Sequence, residues 1–155
     1  MPLPRLAPPP ARPRAVTGRI EAPLWRPHCK RETIMTANKL RADDLRQFTG
    51  SENWYRHGLV RNVLFTDGAK YVADQGGAYW LIDEIAFAQR GDKRVAGEEF
   101  QFWKLTVKPD QTATLSCEDG NGNTVYSKAI EYTDFPLAEI ALYFTNNTIL
   151  LPSEY

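Results

Sequence analysis

The run FQFWKLTVK at residues 100–108 decides the fold, because apolar and polar side chains alternate along it. In an extended strand this alternation places Trp103 and Leu105 on the same face. Residues 112–117 and 123–132 are also rich in β-branched and aromatic side chains, and turn-forming Pro, Asp, Asn and Gly separate the three runs. The sequence therefore predicts a three-stranded antiparallel meander.

After the meander, the sequence predicts one short helix and one final strand. Pro136 suits the first turn of a helix, and the apolar residues of that helix would be Leu137, Ile140, Ala141 and Tyr143. The turn signal Asn146-Asn147 then leads to a last apolar run at residues 149–151. We expect this run to be a strand.

Before the meander, three helical segments are expected, at residues 37–48, 69–75 and 77–89. Thr36 suits the N-cap of the first, and the Gly76-Gly77 pair suits the C-terminal cap of the second. Between the first two, Ser51 is expected to cap a short turn that carries residues 52–57. We expect the N-terminal helices to cover one face of the meander, which gives an α+β fold in a single domain at residues 35–155.

The helix predicted at residues 77–89 has two contrasting sides. At about 100° per residue its aliphatic side chains fall together, namely Leu81, Ile82, Ile85 and Ala88. Trp80 and Phe87 project nearly opposite them, flanked by Asp83 and Glu84. Either a second layer packs on this aromatic side, which makes Trp80 and Phe87 core residues, or the side binds a partner.

Residues 1–34 differ from the rest of the chain in composition. They contain eight of the eleven prolines, and seven Lys or Arg against two Glu give them a net charge of +5. Because the whole chain is neutral, the remainder carries −5, which argues against broad binding of a phosphate backbone by the domain. The Pro/Arg-rich lead has almost no apolar periodicity, and we expect it to be disordered.

Met35 offers a second interpretation of the lead, as an over-extended gene start. Lys30-Arg31-Glu32 can be encoded by a purine-rich run that resembles a bacterial ribosome-binding site just before the Met35 codon. The alternative is a flexible basic tail that assists binding of nucleic acid or a partner. The chain shows no signal peptide, transit peptide or apolar run of roughly 18 residues, so we expect a cytoplasmic protein without membrane contact.

Common enzyme signatures are missing from the sequence, including phosphate-binding Gly-rich loops, dinucleotide fingerprints, zinc-protease helices and serine nucleophile elbows. The domain keeps one histidine, His57, and one cysteine, Cys117, because His28 and Cys29 lie in the lead. These two residues cannot form a zinc cluster or an internal disulfide. We therefore predict no metal and no cofactor, and we expect Cys117 to be a buried apolar residue.

Two groups of residues remain as candidate binding sites. Adjacent helical residues point about 100° apart, so Asp83 and Glu84 are poorly placed to share one substrate atom and better suited to flank Trp80 and Phe87 on a binding surface. The second group contains aromatic and basic side chains that either anchor the core or stack single-stranded bases together with Arg61. Its members are Trp54, Tyr55, Arg56 and His57.

Four runs of the domain are distinctive, at residues 48–57, 65–68, 76–86 and 150–155. They resemble an uncharacterised family of small bacterial proteins that are often encoded on phages, plasmids and other mobile elements. The most specific run is GGAYWLIDEIA at residues 76–86. The resemblance spans residues 40–155 and leaves out the lead, which favours the mis-start interpretation. It implies a habitat, and it implies no activity, cofactor or catalytic residue.

Three functions are compatible with these observations. The favoured one is a non-enzymatic accessory protein of a mobile element that binds a protein through the aromatic helix or through residues 54–57. The second is a small enzyme built around His57, Arg56 and the Asp83/Glu84 pair, which requires these groups to converge within hydrogen-bonding reach. The third is single-stranded nucleic-acid binding through residues 54–56 and Arg61, which requires steep salt dependence. The sequence leaves the oligomeric state open.

Overall fold

The computed structural model describes residues 40–155, which form one sheet with helices on one of its faces. The predictions for the lead, the Met35 start and the Thr36 cap lie outside the described residues. Within them, the first element is a 3-10 helix at Ala42–Gln47, so the α-helix predicted to extend to residue 48 is wrong over its described part.

Seven strands make up the sheet. They are β1 (Trp54–Arg56), β2 (Leu64–Thr66), β3 (Phe100–Val107), β4 (Ala113–Asp119), β5 (Thr124–Ile130), β6 (Glu139–Thr145) and β7 (Thr148–Leu150). Their order across the sheet is β1-β2-β7-β6-β3-β4-β5, and all neighbours are antiparallel except β2 and β7.

The predicted three-stranded sheet is therefore wrong, although the broad class remains α+β. Strands β3, β4 and β5 do form an antiparallel meander, but β6 pairs with the free side of β3 and continues the sheet through β7 and β2. The sequence signal for β1 and β2 is weak because each has only three residues, too few for alternation to show. In particular, the turn predicted after Ser51 is strand β1. The predicted final strand is present as β7.

The predicted C-terminal helix is also wrong, because its residues form strand β6. Ile140, Leu142 and Phe144 alternate into the core, and this period of two was hidden by the helix-like spacing of neighbouring apolar residues. Leu142 lies opposite Trp103 of β3, and Phe144 lies opposite Ile149 of β7. Pairing on both sides therefore selected the strand over the helix.

Three α-helices connect β2 to β3, namely α1 (Asp67–Gly76), α2 (Tyr79–Gly91) and α3 (Lys93–Ala96). The Thr66 side chain caps α1 by accepting a hydrogen bond from the amide of Ala69. Gly77 ends α1 at a φ of 60°, a left-handed conformation that glycine adopts without steric cost. The predicted glycine cap and the predicted aromatic helix are both present.

The core lies between these helices and the inner face of the sheet. Leu81, Ile82 and Ile85 of α2 pack into one cluster with the inward side chains of the strands, among them Trp103 and Leu115. Burial of side chains of this size contributes roughly 1.5–3 kcal/mol each. Within residues 40–155 the α-helices belong to this inner layer, and a 3-10 helix at Pro152–Glu154 contacts β6.

Candidate functional site

The structure separates the eight predicted site residues into four places. At the first place, His57 contacts both Asp83 and Phe87 at the surface of α2. Trp80 and Glu84 lie further round the same helix, Tyr55 belongs to a polar network beside α1, and Trp54 and Arg56 lie on the outer face of the sheet. The predicted surface is therefore only partly assembled as one unit.

His57 and Asp83 form the central contact of the first place. The buried imidazole Nε2 lies 2.7 Å from Asp83 Oδ1, and the other ring nitrogen, Nδ1, accepts hydrogen bonds from the amides of Val60 at 2.8 Å and Leu59 at 3.3 Å. Because Nδ1 accepts these hydrogen bonds, the proton of the neutral ring is on Nε2. The Nε2–H group donates a hydrogen bond to Asp83. The loop between β1 and β2 thus fixes both the tautomer and the carboxylate.

This arrangement leaves part of Asp83 open to solvent. Its side chain is 47% exposed although one oxygen is held by the nearly buried histidine. Phe87 lies one helical turn further along α2 and meets the His57 ring edge-on at 5.9 Å between centroids. Phe87 is 44% exposed, and Leu59 in the neighbouring loop is 70% exposed. We call Leu59, Asp83 and Phe87 the helix-face patch.

Trp80 and Glu84 lie outside this patch. Trp80 is half-buried and packs against the core cluster, so it anchors α2 to the sheet. Glu84 accepts a hydrogen bond of 2.6 Å from Lys128 of β5, which ties the helix to the edge of the sheet. Both residues therefore have structural partners.

Tyr55 points inward from β1 and belongs to a different polar cluster. Its ring stacks on Phe65, and its hydroxyl donates to Asp67 at 3.0 Å. The hydrogen bond to Asp67 raises the pKa of Tyr55, so this phenol stays protonated near neutral pH. Burial opposes ionisation of Asp67, but hydrogen bonds from Tyr55 and Asn53 outweigh it and lower the pKa of that carboxyl.

Trp54 and Arg56 face away from Tyr55, because side chains alternate along β1. Trp54 pairs with Thr66 and is 59% exposed, and Arg56 pairs with Leu64. The sheet therefore separates them from His57 and Asp83. The enzyme interpretation required Arg56 to converge with these two residues, and the structure places it on the opposite face.

A second carboxylate, Glu154, organises the start of α1 and was missed as a candidate. Its oxygens accept from Ser51 Oγ at 2.8 Å, Thr66 Oγ1 at 2.6 Å, the Gly68 amide at 3.1 Å and the Leu151 amide at 2.9 Å. Ser51 and Thr66 in turn accept from the amides that flank Gly68. Glu154 thus satisfies the first amides of α1, directly or through one hydroxyl.

The remaining polar groups give little support to catalysis. Burial raises the pKa of the Cys117 thiol to about 12, which keeps it protonated and unreactive, as expected for a buried cysteine. A cavity of about 570 Å³ in the described part of the chain is a polar cleft between α3 and the β6–β7 turn, and His57 and Cys117 are not among its lining residues. In residues 40–155 no three potential metal ligands come together.

Comparison with known proteins identifies a family whose function is unknown. The model of a family of unknown function (DUF6876) matches residues 39–155. No curated protein and no solved structure matches the chain. Over the described residues, none of the helices has the length and apolar character needed to cross a bilayer.

Proposed function

Because the chain belongs to this family of unknown function, we propose its role from its own geometry: it is a non-enzymatic protein that docks a protein partner on the helix-face patch. The observation that carries the proposal is the half-exposed carboxylate of Asp83, which is fixed by His57. The His57 ring also contacts the exposed Phe87 and accepts a hydrogen bond from the amide of the exposed Leu59. Ordering a binding group in advance lowers the entropy cost of association.

The patch has the composition of a small interface centre. Phe87 and Leu59 supply apolar surface that water wets poorly, and an aromatic side chain at such a position commonly carries much of the binding energy. Asp83 supplies one oriented acceptor, since His57 holds only its Oδ1 atom. The partner chemistry that fits is an apolar side chain next to an Arg or Lys that pairs with Asp83.

The same geometry disfavours a catalytic role for His57. A general base needs a free ring nitrogen within reach of a substrate proton. Both nitrogens of His57 are occupied, one by backbone amides and the other by Asp83, and the ring is buried. His57 is therefore a positioning residue for Asp83.

The proposal also states which proteins are candidate partners. The resemblance to proteins of phages and plasmids supports a role as an accessory factor, and the first partners to examine are proteins of the host and of the mobile element itself. A basic surface on the partner is favoured because the chain beyond residue 34 carries a net charge of −5.

Site-specific photocrosslinking tests this proposal. A photoreactive phenylalanine analogue at position 87 should give a discrete crosslinked protein in cells of the source organism. The matched control places the analogue at Tyr132, a 65% exposed aromatic outside the patch. With the purified captured protein, Phe87→Ala should weaken binding at least about tenfold, or about 1.4 kcal/mol. Equal crosslinking at both positions, or unchanged affinity, would reject the patch.

A further inference from the structure

The outer face of the sheet carries an aromatic surface that the helices do not cover. Strand alternation and register place Phe100 and Phe102 of β3 and Tyr143 of β6 on this face, together with Leu150 of β7. Tyr143 lies within 5.0 Å of Phe100 and 5.7 Å of Phe102, measured between ring centroids. The three aromatic residues are half-buried, and Tyr143 shields both phenylalanines.

Tyr155 extends this surface instead of closing it. Its ring meets Phe100 at 5.5 Å and Tyr143 at 5.6 Å, yet the residue is 76% exposed. Trp54, on the edge strand β1, is 59% exposed on the same face. The outer face therefore presents a central aromatic cluster and a separate exposed tryptophan.

Charge on this face is balanced. Register places Arg56 and Lys104 there with Glu118 and Glu139, so the strand residues of the face sum to zero. Lys104 is paired with Glu139 at 3.1 Å. The chain beyond residue 34 carries −5 overall, so two copies that meet through these strand residues bring no net like charge together.

From this geometry we propose that the outer face is a homodimer interface, with a second copy of the chain packed sheet against sheet. A two-fold contact brings the aromatic cluster of one protomer onto that of its partner, because an isologous interface uses the same surface twice. Sheets pack face to face about 10 Å apart with interdigitated side chains, and aromatic side chains fill such a layer. This inference is independent of the helix-face patch, which lies on the other layer.

The size of the face is compatible with a stable dimer. Four neighbouring strands, β6, β3, β4 and β5, have seven or eight residues each. At about 4.8 Å per strand and about 24 Å of strand length they cover a flat area of roughly 500 Å². This area is of the same order as the roughly 800 Å² that each partner buries in a standard interface.

Single-stranded nucleic acid fits this face less well than a second copy does. Aromatic side chains can stack bases, but binding to the phosphate backbone needs an excess of basic side chains along the strand. Arg56 is the one basic residue on the described strands of the face without a salt bridge. The charge balance therefore selects the protein partner.

Light scattering after size exclusion tests the dimer with the full chain. Wild type should elute at twice the chain mass, and Tyr143→Lys should elute at the mass of one chain because it places two like charges at the centre of the interface. Ser116→Lys is a second variant on the same face, where the residue is polar and half-exposed. The matched control is Phe87→Lys on the helix layer, which should remain dimeric.

Circular dichroism shows that each compared variant is folded, and Ser116→Lys decides the test if Tyr143→Lys unfolds. A wild type that stays monomeric at its highest soluble concentration overturns the proposal. So does dissociation by Phe87→Lys to the same extent as by the sheet variants. Salt-sensitive binding of a fluorescein-labelled oligo-dT that Tyr143→Lys abolishes in a monomeric wild type would assign the face to nucleic acid instead.

Discussion

Two carboxylates, Glu154 at the start of α1 and Asp83 within α2, are held in opposite ways. Glu154 accepts four hydrogen bonds, two on each oxygen, and closes the beginning of α1. Asp83 accepts one hydrogen bond, from His57, and its side chain remains 47% exposed. The hydrogen-bonding capacity of Glu154 is therefore taken by groups of the fold, whereas Asp83 is held in one orientation and can still accept hydrogen bonds from a partner.

The difference separates structural polar groups from candidate binding groups. A buried network that is fully satisfied stabilises the fold and has no capacity left for a ligand. A carboxylate held by one donor keeps acceptor capacity for a cation while paying little additional ordering entropy on binding. Loss of the Glu154 carboxylate should therefore destabilise the fold, and loss of the Asp83 carboxylate should weaken binding.

The largest expected effect is loss of stability in Glu154→Gln. The amide replaces one carboxylate oxygen by a donor that faces N–H and O–H donors, so hydrogen bonds to the start of α1 are lost. We expect the free energy of unfolding to fall by about 2–4 kcal/mol. Urea unfolding followed by circular dichroism measures it. A change below about 0.5 kcal/mol would show that Glu154 is not the cap that the hydrogen bonds indicate.

Gly68→Ala tests the same closure from the helix side. A Cβ at Gly68 would lie 2.6 Å from Glu154 Oε2 and 2.6 Å from Leu151 Cδ1, so these side chains must move, although hydrogen bonds hold the Glu154 carboxylate in place. We expect a loss of about 1–3 kcal/mol in the free energy of unfolding. Gly91→Ala is the matched control, because its Cβ meets nothing within 4 Å and alanine favours a helix. Equal stability of the two variants would contradict tight packing at Gly68.

The pH dependence of stability tests a third carboxylate, Asp67, which is hydrogen-bonded by Tyr55 and Asn53. Its pKa is lower in the folded state than the ordinary value of about 3.9, so its contribution is present above that value and is lost as pH falls through the folded pKa. Unfolding free energies of wild type should therefore decrease below about pH 4. In Asp67→Asn the decrease should be shallower, and an identical decrease would contradict the prediction.

The smallest expected effect on stability is that of Asp83→Asn. An asparagine can accept the same hydrogen bond from the neutral His57 through its amide oxygen, so no buried donor is left without a partner. We expect the free energy of unfolding to change by less than about 1 kcal/mol. Urea unfolding beside Glu154→Gln measures the contrast, and a loss as large as that of Glu154→Gln would class Asp83 as structural.

Sequence patterns were sufficient to predict the secondary structure of segments that are long and whose partners are close in the chain. Helix α2 and strands β3 to β5 show clear periods of 3.6 and 2, and Gly77 marks the end of α1. Strand β6 was misread because Pro136 and the apolar residues after it also suit a helix. The contact that distinguishes the two patterns joins Leu142 to Trp103, 39 residues away.

His57, Asp83 and Phe87 were named as candidates from the sequence, but the contacts that join them and the place of Leu59 beside them were not predicted. The helical period placed Asp83 and Phe87 near each other. The contact of His57 with Asp83 depends on loop amides such as that of Val60, and the conformation of a loop cannot be predicted from a periodic sequence pattern. Leu59 was passed over because one exposed leucine in a loop gives no sequence signal. Glu154 was noticed only as part of a distinctive tail, since its donors lie 86 to 103 residues away or in the adjacent turn.

The affinity of the crosslinked partner for Asp83→Asn is the most direct test of the claim that the open carboxylate is a binding group. With purified proteins at one fixed salt concentration, we predict at least about tenfold weaker binding for Asp83→Asn, while Glu154→Gln in its folded state binds as wild type does. Unchanged affinity in Asp83→Asn, or an equal loss in both variants, would contradict the account.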